Sequence, residues 1–112
     1  MAVPDSSVLR VLRLLDVSPH LTQRDMAREL GVSLGKANYC LRALIGKGFV
    51  KAQNFRNSTN KRAYLYLLTP EGATAKANLT RKFLARKREE YDALRVELEV
   101  LERESEGLVE VS

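Results

Sequence analysis

The feature that most constrains this chain is a single residue. Gly31 closes one apolar-periodic run, Ser33 opens the next, and only Val32 separates them. Upstream, Thr22 is placed to cap a helix. Asp25 follows at the weak capping-box position, and Met26, Ala27 and Leu30 face inward. Gly31 permits the left-handed backbone that stops a helix. Downstream, Ser33 caps a helix expected over 34–47. Its buried face is read as Ala37, Leu41, Leu44 and Ile45, at i, i+4, i+7 and i+8. Two helices joined this closely have to turn sharply and pack on each other, which is a helix-turn-helix.

The flanking sequence completes the unit. A first helix is expected over 6–17, capped by Asp5 or Ser6, with Val8, Leu9, Val11, Leu12 and Leu15 apolar. Ser18-Pro19 ends it, because proline disfavours helix at the residue before it. After Gly46 and Gly48, extended runs at 50–53 and 63–68 flank the polar segment 55–61. That pattern reads as a β-hairpin with a basic tip, a wing. Thr69 and Pro70 then open a last helix, with Pro70 at the first position, where its missing amide costs nothing. Only Gly72 weakens that run before about residue 104. The expected architecture is mainly α with a small β-hairpin: a winged helix-turn-helix over 5–69, a long coiled-coil-like helix over 70–104, and a tail over 105–112 expected to fray.

Charge is divided along the chain. Residues 1–69 hold 11 Lys/Arg against 4 Asp/Glu, residues 70–88 hold 6 against 1, and residues 89–112 hold 2 against 9. A basic folded part beside an acidic segment points to a polyanion partner for the first part alone. No apolar run is long enough to span a membrane. The start, MAVPDSSVLRVL, lacks the basic and cleavage features of a signal peptide. One cysteine, Cys40, allows no internal disulfide and fits a reducing cytoplasm. The expected location is therefore cytoplasmic, beside the nucleoid. One His and one Cys cannot make a standard zinc site, and no catalytic Ser/His/Asp set, carboxylate pair or phosphate loop is present. No enzyme activity, metal or cofactor is expected.

The runs LTQRDMARELGVSLGKANYCLRALIGKGFVKAQNF and NKRAYLYLLTPEG resemble the MarR-type winged-helix regulators of bacteria. With LTRKFLARKREEYDALRVELEVL, they are similar to the small exopolysaccharide (EPS)-associated transcriptional regulators of that family, over about residues 5–104. The resemblance implies DNA binding and transcriptional control. The chain differs from larger MarR proteins in placing its candidate dimer contacts on one C-terminal helix.

The residues themselves name a DNA-reading surface. With the inner face of the third helix buried, Leu34, Gly35, Lys36, Asn38, Tyr39 and Arg42 are left outside, following Ser33. The N-terminal part of the second helix of such a motif enters the major groove. Arg42 suits guanine and Asn38 suits adenine, each bidentately. Lys36 suits a phosphate or guanine, and Tyr39 a thymine methyl or a phosphate. Gly35, costly inside a helix by about 1 kcal/mol, would let the backbone approach DNA closely. In the wing, Arg56, Asn57, Ser58, Lys61 and Arg62 are candidates for the backbone or the minor groove. Gln23 and Arg24 are further phosphate candidates. Cys40 reads as a core thiol, His20 as a surface residue, and Tyr64 and Tyr66 as packing.

The last helix carries a heptad seam. Leu84, Lys87, Tyr91, Leu94, Leu98, Leu101, Ser105 and Leu108 alternate at spacings of three and four. Phe83, Leu84, Tyr91, Leu94, Leu98 and Leu101 are the expected dimer interface, because so long a helix exceeds what its own domain can cover. Flanking charges leave parallel and antiparallel pairing open. The expected function is a sequence-specific double-stranded DNA-binding regulator, a repressor working as a homodimer on an inverted repeat. Nothing in the residues specifies a small-molecule effector. The alternative is a winged-helix assembly module that does not bind DNA, which an apolar rather than basic outer face would favour.

Overall fold

The computed structural model describes residues 3–56 and 62–111, with side chains described at all of these but 55, 56, 62, 63 and 109–111. The elements run α1 (Asp5–Val17), α2 (Gln23–Leu30), α3 (Leu34–Gly46), β1 (Val50–Arg56), β2 (Arg62–Leu68) and α4 (Pro70–Val111). They fall into two units, Met1–Leu79 and Thr80–Ser112. The chain is mainly helical, with one antiparallel hairpin and a long final helix, as the sequence implies.

Helix α1 starts earlier than expected. Pro4 is its N-cap, extended at φ −60° and ψ 148°, and no side chain caps it. The Pro4 carbonyl accepts from the Val8 amide at 3.0 Å. Asp5 thus lies in the first turn rather than before it, where its charge suits the positive end of the helix. The other caps are as read from sequence. The Thr22 hydroxyl accepts from the Asp25 amide at 3.1 Å, and the Ser33 hydroxyl from the Lys36 amide at 3.1 Å.

Both stops in this region rest on left-handed glycines. Gly31, at φ 68°, lets its own amide reach the Arg28 carbonyl and the Val32 amide reach Ala27, at 3.2 and 3.0 Å. Gly48, at φ 79°, repeats the geometry on Ile45 and Leu44 through its own amide and that of Phe49, both at 3.0 Å. These are Schellman closures, which use up carbonyls otherwise orphaned at a helix end. Helix α3 therefore ends at Gly46, one residue short of the expected Lys47.

The core of the first unit draws on every element. Val11, Leu12 and Leu15 of α1, Met26 of α2, and Leu41 and Leu44 of α3 are its fully buried large side chains. Val50 and Tyr66 add the hairpin. One expectation fails here: Ile45 is 38% exposed, while Cys40, read as a core thiol, is buried at 6%. At 3.6 residues per turn, Ile45 sits about 90° from the centre of the buried arc and Cys40 about 50°.

In the hairpin, Val50 pairs with Leu68 and Ala52 with Tyr66, and the register continues to Arg56 opposite Arg62. The strands thus take in Phe55, Arg56 and Arg62, which the sequence reading left at or in the turn. The Tyr66 amide donates to the Pro19 carbonyl at 3.1 Å, joining the hairpin to the α1–α2 loop.

The start of α4 is fitted to this unit by contact and by cap. The Thr69 hydroxyl accepts from the Gly72 amide at 3.0 Å and donates to the Gly48 carbonyl. The Thr69 amide donates to the Phe49 carbonyl at 3.0 Å. Gly72 lies so close to Phe49 that a Cβ there would stand 2.0 Å from that carbonyl oxygen. Ala75 and Leu79 pack on the core, and Lys76 pairs with Asp16 of α1.

The second unit is helix alone. Helix α4 continues through Val111, past the end expected near Glu104. Nothing from Ser105 onward breaks it except Gly107, whose cost of about 1 kcal/mol a long helix tolerates. Its side chains described from 84 to 106 are all exposed. Phe83 is half-buried, with the Arg86 guanidinium 5.1 Å from its ring centroid. Lys87 and Glu90 form an exposed ion pair at 3.1 Å, a kind worth under about 1 kcal/mol.

Candidate nucleic-acid interface

The outer face of α3 is set by its inner one. Ala37, Cys40, Leu41 and Leu44 are buried, so helical geometry turns Gly35, Tyr39 and Arg42 (i, i+4, i+7) directly away from the core. Tyr39 is 48% exposed, and Lys36 and Arg42 are exposed as well. Leu34 lies exposed on one flank beside Asn38, which is half-buried. Ser33 is exposed too, with its hydroxyl occupied by the cap to Lys36. The helix carries no acidic side chain, so nothing on it opposes Lys36 and Arg42.

Gly35 is the most telling position on this face. Its backbone is ordinary helix, and a Cβ built there meets nothing within 4 Å. Among the described residues, no turn and no packing contact requires glycine here, in contrast to Gly31, Gly48 and Gly72.

Helix α2 contributes less than its sequence suggests. The Gln23 amide donates to the Tyr66 hydroxyl at 3.4 Å, which ties that side chain to β2. Arg24 is exposed, and Arg28 makes a loose exposed pair with Asp25 at 3.6 Å.

On the wing, Asn57, Ser58 and Lys61 lie outside the described residues. Arg56 and Arg62 end the two strands as register partners, and only their backbones are described. Tyr64 is 52% exposed and stacks on Tyr66, with ring centroids 6.0 Å apart. Lys51 is exposed on β1, whose other face holds the buried Val50. Sequence reasoning passed over both Tyr64 and Lys51 as site residues. Strand alternation from Val50 would have turned Lys51 outward, but Tyr64 shares its strand face with the buried Tyr66.

Residues 4–51 match the family model described as winged helix-turn-helix DNA-binding. Among solved structures, the chain is similar to E. coli MarR complexed with operator DNA, at 26% identity and a TM-score of 0.55, over 68% of this chain and 53% of that one. The chain carries a winged helix-turn-helix similar in fold to that of MarR. S. pneumoniae FabT in complex with DNA has the same fold, at 20% identity and a TM-score of 0.59, over 95% of this chain and 76% of that one. S. aureus MepR matches at 20% identity with a TM-score of 0.63, over 87% and 75%. The chain spans about half the length of the E. coli MarR structures. No curated protein matches its sequence. In the winged helix-turn-helix, α3 is the second helix of the motif and the hairpin is the wing. Among the described residues no group of His, Cys, Asp and Glu could hold a metal ion, and no helix is long and apolar enough to cross a membrane.

Proposed function

We propose that the protein is a sequence-specific, double-stranded DNA-binding transcriptional regulator, a repressor that works as a homodimer by blocking a promoter. The outer face of α3 carries this reading. Arg42, an exposed Tyr and an unforced glycine stand opposite the core, with Lys36 exposed on the flank, on the helix that other DNA-binding helix-turn-helix proteins place in the major groove. Arg42 reads a guanine, Asn38 an adenine, and Lys36 and Tyr39 fix the helix against phosphate or a thymine methyl. Ser33, Leu34 and Gly35 form the close-approach end of that helix. Arg56, Asn57, Ser58, Lys61 and Arg62 supply the wing contacts. The DNA complexes of E. coli MarR and S. pneumoniae FabT support the reading.

Dimerisation uses Phe83, Leu84, Tyr91, Leu94, Leu98 and Leu101. All but Phe83 are about half exposed or more in the single chain, and burying what remains exposed of each is worth about 1 kcal/mol. A two-fold dimer requires an inverted-repeat operator. The chromosome in the cytoplasm is the place of action.

The test is a duplex titration across salt, using sites selected from random sequence by the purified protein. Affinity should fall steeply as salt rises from about 50 to 200 mM, because bound Lys and Arg release condensed counterions. Absence of duplex binding at the low-salt end would overturn the proposal in favour of a protein-assembly module.

A further inference from the structure

We propose that two copies of the chain pair through Thr80–Leu108 as an antiparallel helix pair, centred on Val96. The inference rests on the proposed homodimer and adds its direction and register.

The seam reads the same from either end. About residue 96, Leu84 stands opposite Leu108 of the second copy, and Leu94 opposite Leu98. Tyr91 meets Leu101, and the two polar seam positions, Lys87 and Ser105, meet each other. The apolar members are exposed in the single chain, from 48% at Leu84 to 72% at Leu108. A parallel pair would instead set Lys87 against Lys87 inside the seam, with both ammonium groups partly desolvated. The antiparallel pair gives each Lys87 a small hydroxyl neighbour and leaves it able to keep its ion pair with Glu90.

Charge along the helix agrees at the larger scale. Residues 80–88 carry five Lys/Arg and no acid, while residues 89–112 carry nine Asp/Glu and two Arg. Antiparallel pairing sets the basic block of one copy beside the acidic half of the other. Parallel pairing sets like against like along the whole length. Paired helix axes lie about 8–10 Å apart, close to the Debye length at physiological salt, so facing blocks still sense each other. Individual flanking pairs are divided in both directions. Glu90 meets Arg95 and Glu97 meets Glu102 in the parallel form. In the antiparallel form Arg88 meets Glu102, while Glu90 meets Glu104, and Arg95 and Glu97 each meet their own copies. The seam and the blocks therefore decide the direction.

Variants with one added cysteine test it, because the native Cys40 is buried. L84C and L108C proteins are mixed, allowed to exchange, and oxidised, with wild type as the control for Cys40. The expected product is almost entirely the mixed 84–108 disulfide, where random pairing would give half. A second variant, A85C, lies outside the seam and carries a spin label. Antiparallel pairing about residue 96 separates its two labels by 22 residues, roughly 33 Å along the axis; parallel pairing leaves no axial offset. Same-site disulfides or a short label distance would overturn the antiparallel assignment and leave the homodimer standing. A monomer at micromolar concentration would overturn both. A duplex titration of the same samples reports separately whether the DNA reading holds.

Discussion

Met1–Leu79 and Thr80–Ser112 solve the problem of apolar surface in opposite ways. In the first unit Leu12, Leu15, Met26, Leu41 and Leu44 are fully buried, and the charge left outside is basic. In the second, Leu84, Tyr91, Leu94, Leu98 and Leu101 stay exposed on a lone helix, and most of the charge is acidic. A helix with no partner is held chiefly by its own hydrogen bonds and weak i, i+3 pairs such as Lys87–Glu90. The first unit has what it needs to fold. The second carries apolar area whose stabilisation comes only from another surface. The contrast separates the residues that make the molecule from those proposed to let it assemble.

The sharpest way to break that contrast is to charge the seam. Leu94→Glu with Leu98→Glu should yield a monomer by light scattering while the winged unit keeps its melting transition. Tight binding to an inverted repeat should drop about 10²–10⁴-fold as the second half-site loses its tether. A double mutant that stays dimeric would place the interface elsewhere. A cavity in the core should do the reverse. Leu44→Ala is expected to destabilise the winged unit by about 2–5 kcal/mol in denaturant melts, whereas Leu94→Ala in a dissociated chain should change that transition by less than about 0.5 kcal/mol.

On the basic face, Arg42→Ala should weaken the selected site by about 1–3 kcal/mol and relax preference at one base pair. Equal loss on specific and random duplexes would remove Arg42 from base reading. The smallest effect concerns Gly35→Ala. With open space at its Cβ, the change should raise thermal stability by about 1 kcal/mol and lower DNA affinity in the same protein. Gained stability with unchanged affinity would show that DNA does not approach this position.

Much of the winged unit can be read from local chemistry. Thr22 and Ser33 announce their caps, Gly31 and Gly48 their left-handed stops, and the apolar positions of α1 and α2 their buried faces. What escapes is set by distant parts of the chain. Gly72 looks like a helix weakener until Phe49, 23 residues earlier, brings its carbonyl against it. Gln23 looks like a free polar residue until the Tyr66 hydroxyl arrives from β2. Ile45 was placed inside because the apolar reading favoured its hydrophobicity over its angle, whereas Cys40, read as a core thiol, is buried. The outer face of α3 was legible because it is the complement of a strongly patterned inner one. Exposed Tyr64 was not, because it shares its strand face with the buried Tyr66.

The burial of Cys40 has a practical consequence. This unmodified thiol lies in the core of the winged unit, 6% exposed. An alkylating reagent reaches it chiefly when the unit opens, so the native chain carries its own clock for rare excursions from the folded state. Labelling rates with and without duplex would then measure how much the ligand suppresses those excursions, in the wild-type protein and at concentrations far below those a melting curve needs.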